Sequence, residues 1–247
     1  MKITRILRYP VKSLSVEELG ETTLTPGQGL PYDRHWALAK PDGDADDAGT
    51  WCKKLNFVVL VKQFALATLD FRLGRGAAFT LKGAGVDVAG DLDTADGRAA
   101  LADAVTRHLD LPPEAAPRVV EAGDFGYFDS SRGAVALLNM DSHRDLERVM
   151  GRGLDPVRFR MNLLFDGADA WSELHWVGKE VRVGEAVLYI TKPTGRCPAT
   201  HVDPKTGQAD ADILDALRGC QGHTQMGVYA DVKQGGAVRV GDEVEVL

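Results

Sequence analysis

The sequence predicts an α+β fold that is mainly β, a β-barrel with a few short helices, and three observations carry that expectation. Apolar runs are short and bounded by glycine or proline, helical periodicity is confined to three modest segments, and the last ten residues alternate around a turn. Neither a βαβ repeat nor a phosphate-loop glycine pattern is present, which argues against a doubly wound sheet. With 247 residues, 44% of them hydrophobic, the chain can bury a core in one large or two small domains without staples.

In chain order, Ile3 to Tyr9 alternates and Trp36 to Lys40 is a short apolar run; both read as strands. The acidic, turn-rich stretch from Pro41 to Gly49 reads as an exposed, mobile loop, and Phe57 to Leu69 as one or two strands. Leu101, Val105 and Leu109 recur every four residues, so Gly97 to Leu109 is predicted helical. Pro112 to Asp129, with three prolines and little periodicity, is the linker candidate, which divides the chain into domains 1–120 and 121–247.

Beyond it, Ala134 to Leu138 reads as a strand, and Ser142 can cap a helix carrying Leu146, Val149 and Met150 before Gly151. Phe159 to Phe165 and Val181 to Ile190 are expected core strands. A short helix spans Ile213 to Leu217 and ends at Gly219, and Val238 to Leu247 is predicted to be a terminal hairpin.

Net charge is −7 and the basic residues are scattered, so no duplex nucleic-acid partner is expected. The charged N-terminal stretch is neither a signal nor an anchor, and no segment is apolar for long enough to span a bilayer. Cys52, Cys197 and Cys220 are odd in number and far apart, which favours free thiols in a reducing, cytoplasmic setting. Cys52 and Cys220 suit the ordinary role of a small buried hydrophobe.

Cys197 is different. It lies in Thr194-Gly195-Arg196-Cys197-Pro198-Ala199-Thr200-His201, where Gly and Pro fix a loop and Arg196 supplies positive charge. That setting suits either a thiolate ligand or a nucleophile. Lys12, Arg34, Arg158 and Arg160 stand at the edges of strand-like segments, where side chains can project into a cleft and form an anion pocket. Read as a strand, Arg158-Phe159-Arg160 puts both arginines on one face, continued by Asn162, and Phe159 in the core.

Five blocks occurring in order carry a resemblance over nearly the whole chain: Tyr9-Pro10-Val11-Lys12-Ser13-Leu14, Asp33-Arg34-His35-Trp36, Arg158-Phe159-Arg160-Met161-Asn162, Arg196-Cys197-Pro198-Ala199-Thr200-His201-Val202-Asp203-Pro204, and Gly227-Val228-Tyr229-Ala230. The sequence resembles MOSC-domain proteins with an N-terminal β-barrel domain, among them the mitochondrial amidoxime-reducing component and bacterial relatives. The resemblance implies a MOSC-type β-barrel, an N-terminal β-barrel-like domain, and a molybdenum cofactor (molybdenum on a phosphate-bearing molybdopterin) at their interface. It implies Cys197 as the protein ligand to molybdenum, and Lys12, Ser13, Arg34, Ser142, Arg158, Arg160, Asn162, Arg196 and Thr200 as the polar shell. Soft thiolate for the metal and Arg, Lys and hydroxyl donors for phosphate agree with donor chemistry.

The implied activity is two-electron reduction of an N-hydroxylated small molecule to the amine or amidine, with water released. Electrons are expected from a separate ferredoxin, flavodoxin or flavoprotein reductase, because no further cysteine cluster precedes Leu247. Two positions depart from the pattern: Met161 replaces a frequent Pro, and His201 replaces a second Thr. If His201 lines the substrate pocket it adds a catalytic group that exchanges a proton near neutral pH; otherwise it is a surface loop histidine. Asp141 is the other candidate proton donor, and His223 a weaker one. Ser142 stays open between cap and cofactor contact. Two further readings are a sulfur carrier with a persulfide on Cys197, as MOSC domains also end molybdenum-cofactor sulfurases, and a cofactor-binding module without turnover.

Overall fold

The computed structural model describes residues 1–46, 49–131 and 134–247. The chain opens with β1 (Lys2–Arg8), β2 (Glu17–Leu19), β3 (Glu21–Leu24) and β4 (Trp36–Ala39). An antiparallel meander of β5 (Asp70–Leu73), β6 (Ala78–Gly83) and β7 (Val86–Asp91) leads to α1 (Ala95–His108) and β8 (Arg118–Glu121). The second half comprises β9 (Val135–Asn139), α2 (Met140–Met150), β10 (Leu163–Asp166), β11 (Glu180–Val183), β12 (Ala186–Gly195) and α3 (Ile213–Gln221). It ends with β13 (Gln225–Gln234), β14 (Gly236–Arg239) and β15 (Val244–Val246).

Eight strands form one sheet in the order β15-β11-β12-β13-β9-β10-β1-β2, antiparallel except for the β9–β10 pair that α2 connects. The sheet curls until its start meets its end: Ile3 N donates to Asp242 O at 2.9 Å and Val244 N to Met1 O at 2.9 Å. This mainly β, barrel-like architecture is the one the sequence predicts.

Period two explains the layering. Along β9, Val135 and Leu137 enter one core with Leu163, Phe165, Val181, Leu188 and Val228, while Ala136 and Leu138 face a second core with Leu146, Leu164, Ile213 and Leu217. A strand buried on both faces carries no polar residues, as Val135–Asn139 shows until its last position. The first half repeats the device on β4, whose Trp36 and Leu38 pack with Phe71, Leu101 and Val105 while Ala37 and Ala39 pack with Phe57 and Tyr127. Burial of each large side chain stabilises by about 2 kcal/mol. Gly97 lets α1 approach β7: a Cβ there would lie 2.0 Å from Asp91 O.

Several expectations need correction. Phe57 to Leu69 forms no strand; it runs through a 3-10 turn at Phe64–Thr68, and Phe57 makes only an isolated bridge to Ala39. Val238 to Leu247 is not a hairpin, because β14 pairs with β3 and β15 with β11. The alternation was real, but the partners lie over 50 residues upstream. Phe159 to Phe165 is a strand only from Leu163; Pro156–Phe159 is a 3-10 turn and Arg160 is left-handed. The segment from Pro112 to Asp129 contains β8 and the fully buried Tyr127, so residue 120 falls inside a strand. Moreover β1 and β2 belong to the second half's sheet, so the two halves exchange strands. In the Pro41 to Gly49 loop, Asp47 and Ala48 lie outside the described residues, and the rest of that stretch is turn and coil. All three cysteines are free and half-buried, so burial does not single out Cys52 and Cys220. Among the described residues no helix is long and apolar enough to cross a membrane.

Candidate functional site

A polar cleft lies between the barrel and the first half of the chain. It is lined by Lys12, Ser13, Arg34, Lys54, residues 59–61, Phe128 and Asp129, and by Arg160, Arg196, Cys197 and Tyr229. The local backbone there is strained. Ser13, Arg34 and Arg160 have φ of 72°, 52° and 50°, values that cost a non-glycine residue about 1 kcal/mol or more each. They persist because long-range bonds hold them: Leu60 N donates to Ser13 Oγ at 3.1 Å and Arg34 N to Tyr9 O at 2.7 Å.

Four cations converge on this strained backbone. Lys12, 6% exposed, donates to Tyr127 O at 2.8 Å and to Asp129 Oδ1 at 2.5 Å. Burial lowers its pKa, against the pull of Asp129. Burial works against the Asp129 carboxylate too, but Lys12, Lys54 and Arg34 outweigh it and hold its pKa at about 2.

Arg34 pairs with Asp33 and donates to Arg160 O at 2.7 Å. Burial opposes its charge, and Asp33 more than restores it, so its pKa is raised. Among the described residues Arg160 has no carboxylate of its own: it donates to Leu14 O at 2.9 Å and lies over the Tyr9 ring at 4.3 Å, where Arg34 also stands at 4.6 Å. Burial accordingly lowers Arg160 to about 10. Arg196 donates to Phe159 O at 3.1 Å and Met161 Sδ at 3.2 Å, and burial lowers its pKa as well.

Two of these guanidinium groups are incompletely bonded. Arg160 Nη2 and Arg196 Nε are buried and have no partner among the described residues. Buried N–H groups normally find acceptors, so these donors are open to a group or a water that enters the cleft.

Cys197 joins them at the end of β12. Its carbonyl accepts from Thr200 N at 3.0 Å and Thr200 Oγ at 2.9 Å, which closes the 3-10 turn Pro198–His201 and fixes the thiol at the cleft wall. Arg196 interacts electrostatically with the thiol. Among the described residues no group of three or more His, Cys, Asp or Glu converges, so a metal beside Cys197 would have to bring its remaining ligands with it.

Other sequence candidates fall elsewhere or serve the fold. Arg158 reaches the cleft wall, and its two Nη groups are committed to Asp203 at 2.9 Å, Asp210 at 2.8 Å and His201 O at 2.9 Å, while its buried Nε has no partner among the described residues. The strand face expected to align it with Arg160 does not exist, because a 3-10 turn and a left-handed residue rotate them apart. Asn162 bonds Leu7 O, Asp33 Oδ2 and Ala136 N, so its amide ties β1 to β9.

Ser142 is neither a cap nor a cleft residue. Asn139 caps α2, and the buried Ser142 hydroxyl donates to Glu173 Oε2 at 2.8 Å and accepts from Trp171 N at 2.7 Å. His201 turns from the cleft toward α3, where Nε2 accepts from Leu214 N at 3.4 Å. Asp141 is taken up by Arg144 and Gly167 N, and His223 Nδ1 accepts from Gln225 N. Asp129, Lys54 and Tyr229 line the cleft without having been expected there. Tyr229 stood in one of the quoted blocks. Asp129 and Lys54 carry no periodic or motif signal.

Comparison with known proteins matches both parts of the chain to domain families. The MOSC domain family model matches residues 117–245, and the MOSC N-terminal beta barrel domain model matches residues 1–101. The mitochondrial amidoxime-reducing component 1 of Danio rerio is 25% identical over 98% of this chain and 83% of its own length. The mitochondrial amidoxime reducing component 2 of Homo sapiens is 31% identical over 40% of this chain and 33% of its own. The molybdenum cofactor sulfurase of Drosophila erecta is 24% identical over 92% of this chain, which spans 31% of that protein's length. Among solved structures, the YUAD protein of Bacillus subtilis covers 99% of this chain at 15% identity and a TM-score of 0.48.

Proposed function

The chain belongs to the MOSC-domain family, and from that premise we propose that its cleft holds a phosphate-bearing molybdenum–pterin cofactor and serves the reduction of N-hydroxylated small molecules. The observation that carries the proposal is the cradle of buried Lys12 and half-buried Arg34, Arg160 and Arg196, with donors left open on the last two, beside the free thiol of Cys197.

The residues fit such a group. Cys197 offers a soft sulfur ligand to a metal that brings its other ligands with it. Open guanidinium N–H groups and a buried ammonium match phosphate and pterin oxygens. When bound, the group supplies a two-electron oxygen-atom-transfer couple.

The chain's own part is to hold and orient. The Cys197–His201 turn directs the thiol, and the Arg158–Asp203–Asp210 contacts pin the loop beyond it. Tyr229 offers a phenol at the cleft, and burial raises its pKa, so it stays protonated at neutral pH and can donate a hydrogen bond. With His201 and Asp141 turned elsewhere, protons reach the cleft from water or from Tyr229. A separate ferredoxin, flavodoxin or flavoprotein donor supplies electrons, and the setting is the cytoplasm.

Protein from a cofactor-competent host should hold molybdenum and pterin near one per chain and reduce hydroxylamines or amidoximes with a chemical or ferredoxin donor. Bound cofactor without turnover would leave a binding module.

One observation favours a second reading. Sulfurases of Drosophila align with 92% of the chain, so a sulfur carrier with a persulfide on Cys197 is the alternative. Metal-free protein carrying that persulfide would replace the reductase proposal.

A further inference from the structure

The cradle contains an anion of its own. Among the described residues lining the cleft, Asp129 is the one carboxylate, and it takes the Lys12 ammonium at 2.5 Å while standing 3.9 Å from Lys54. The two members of the Lys12 pair are unequal. The Lys12 side chain is 7% exposed and fixed by a second bond to Tyr127 O, whereas the Asp129 side chain is 47% exposed. Asp129 therefore approaches from the open side and is the member that can leave.

The remaining cradle stays under-neutralised. Arg160 Nη2 and Arg196 Nε have no acceptor, and the Asp129 carboxylate does not bond to either. Asp129 also follows Phe128, whose carbonyl accepts from Trp51 Nε1 at 2.9 Å, so the segment's position is tied to a tryptophan.

We infer that Asp129 is a specificity-determining counter-ion: it occupies Lys12 until an anionic group displaces it, and so sets the minimum charge that group must carry. The inference rests on the reading of the cleft as a phosphate-binding cradle. A singly charged anion that replaces Asp129 exchanges one carboxylate-like pair for another and must be immobilised as well, so it gains nothing. A phosphomonoester carries close to two charges at neutral pH and three acceptor oxygens. It can take Lys12 and reach the open N–H groups of Arg160 and Arg196, which Asp129 does not use.

The experiment uses cofactor-free full-length protein at about pH 8, where inorganic phosphate is mostly doubly charged, with phosphate and nitrate as probes. Binding is followed by calorimetry and by Trp51 fluorescence, with W51F as the optical control. Wild type should bind phosphate and not nitrate. Asp129→Asn should bind phosphate about tenfold more tightly and should admit nitrate; Asp129→Glu should keep the discrimination.

Phosphate binding that is equal or weaker in D129N, or nitrate excluded from both proteins, overturns the proposal while the cradle stands. Absence of phosphate binding in both folded proteins removes the cradle and the counter-ion together. A phosphate-induced Trp51 change in wild type that is absent in D129N supports displacement of the 127–129 segment.

Discussion

Arg158 and Arg160 are two residues apart in one short segment, yet they have opposite electrostatic circumstances. Arg158 faces two carboxylates, Asp203 and Asp210, and a carbonyl, so its charge is compensated and its Nη groups are occupied. Arg160 faces a carbonyl and the Tyr9 ring, keeps an open Nη2, and has its pKa lowered to about 10. An arginine with its own acids fastens the fold; a partly buried arginine without them keeps a donor open to the cleft. The difference is charge compensation, since both side chains are largely out of water.

The largest effect that sharpens this contrast belongs to the thiol that lines the same cleft. Cys197→Ser should reduce molybdenum content from about one per chain to background with the fold retained, whereas Cys52→Ser should leave it unchanged; metal analysis beside circular dichroism reads both, and equal loss would remove the assignment.

Next come the arginines themselves. Arg160→Met should weaken cofactor or phosphate binding about a hundredfold, the loss of one charge-assisted contact of up to about 3 kcal/mol, at unchanged or higher thermal stability. Arg158→Met should do the reverse, lowering stability by about 3 kcal/mol because Asp203 and Asp210 lose their shared partner. Were R158M to unfold at the wild-type midpoint and lose the ligand instead, the roles argued for the pair would have to be exchanged.

The smallest effect concerns a buried acid elsewhere in the barrel. Glu173, fully buried under Ser142 and Asn139, has its pKa raised above the ordinary 4.5, chiefly by burial. Its folded state binds the proton more tightly than the unfolded state. The stability it contributes is therefore complete below pH 4.5 and is lost as pH rises through the folded-state value. Glu173→Gln should flatten that decline in denaturant titrations compared at acid and neutral pH. A decline of the same slope in the variant would mean that another group causes it.

How much of this was legible in the chain differs by feature. The double-faced strands Val135–Asn139 and Leu163–Asp166 and the α1 face of Leu101 and Val105 declare themselves, since period two and period 3.6 are local geometry. Lys12, Arg34, Arg160, Arg196 and Cys197 were also legible, because motif blocks name residue types that suit an anion and a metal. Asp129 was not: it lay in a stretch read as linker, and its meaning comes from Lys12, 117 positions away. Ser142 and His201 misled for the same reason. A hydroxyl or imidazole looks available until Glu173 or the α3 backbone is found bonded to it.

By itself the sequence determined a mainly β chain with three helices, a reactive-looking loop thiol, and a set of cations near strand ends. Only the tertiary structure decided that β14 and β15 pair with β3 and β11 and not with each other, and that β1 closes the second half's barrel. It also separated Arg158 from Arg160. The physical reason is common to all three: strand partners and counter-charges are contributed by residues distant in the chain, and burial strengthens the consequence of having or lacking them.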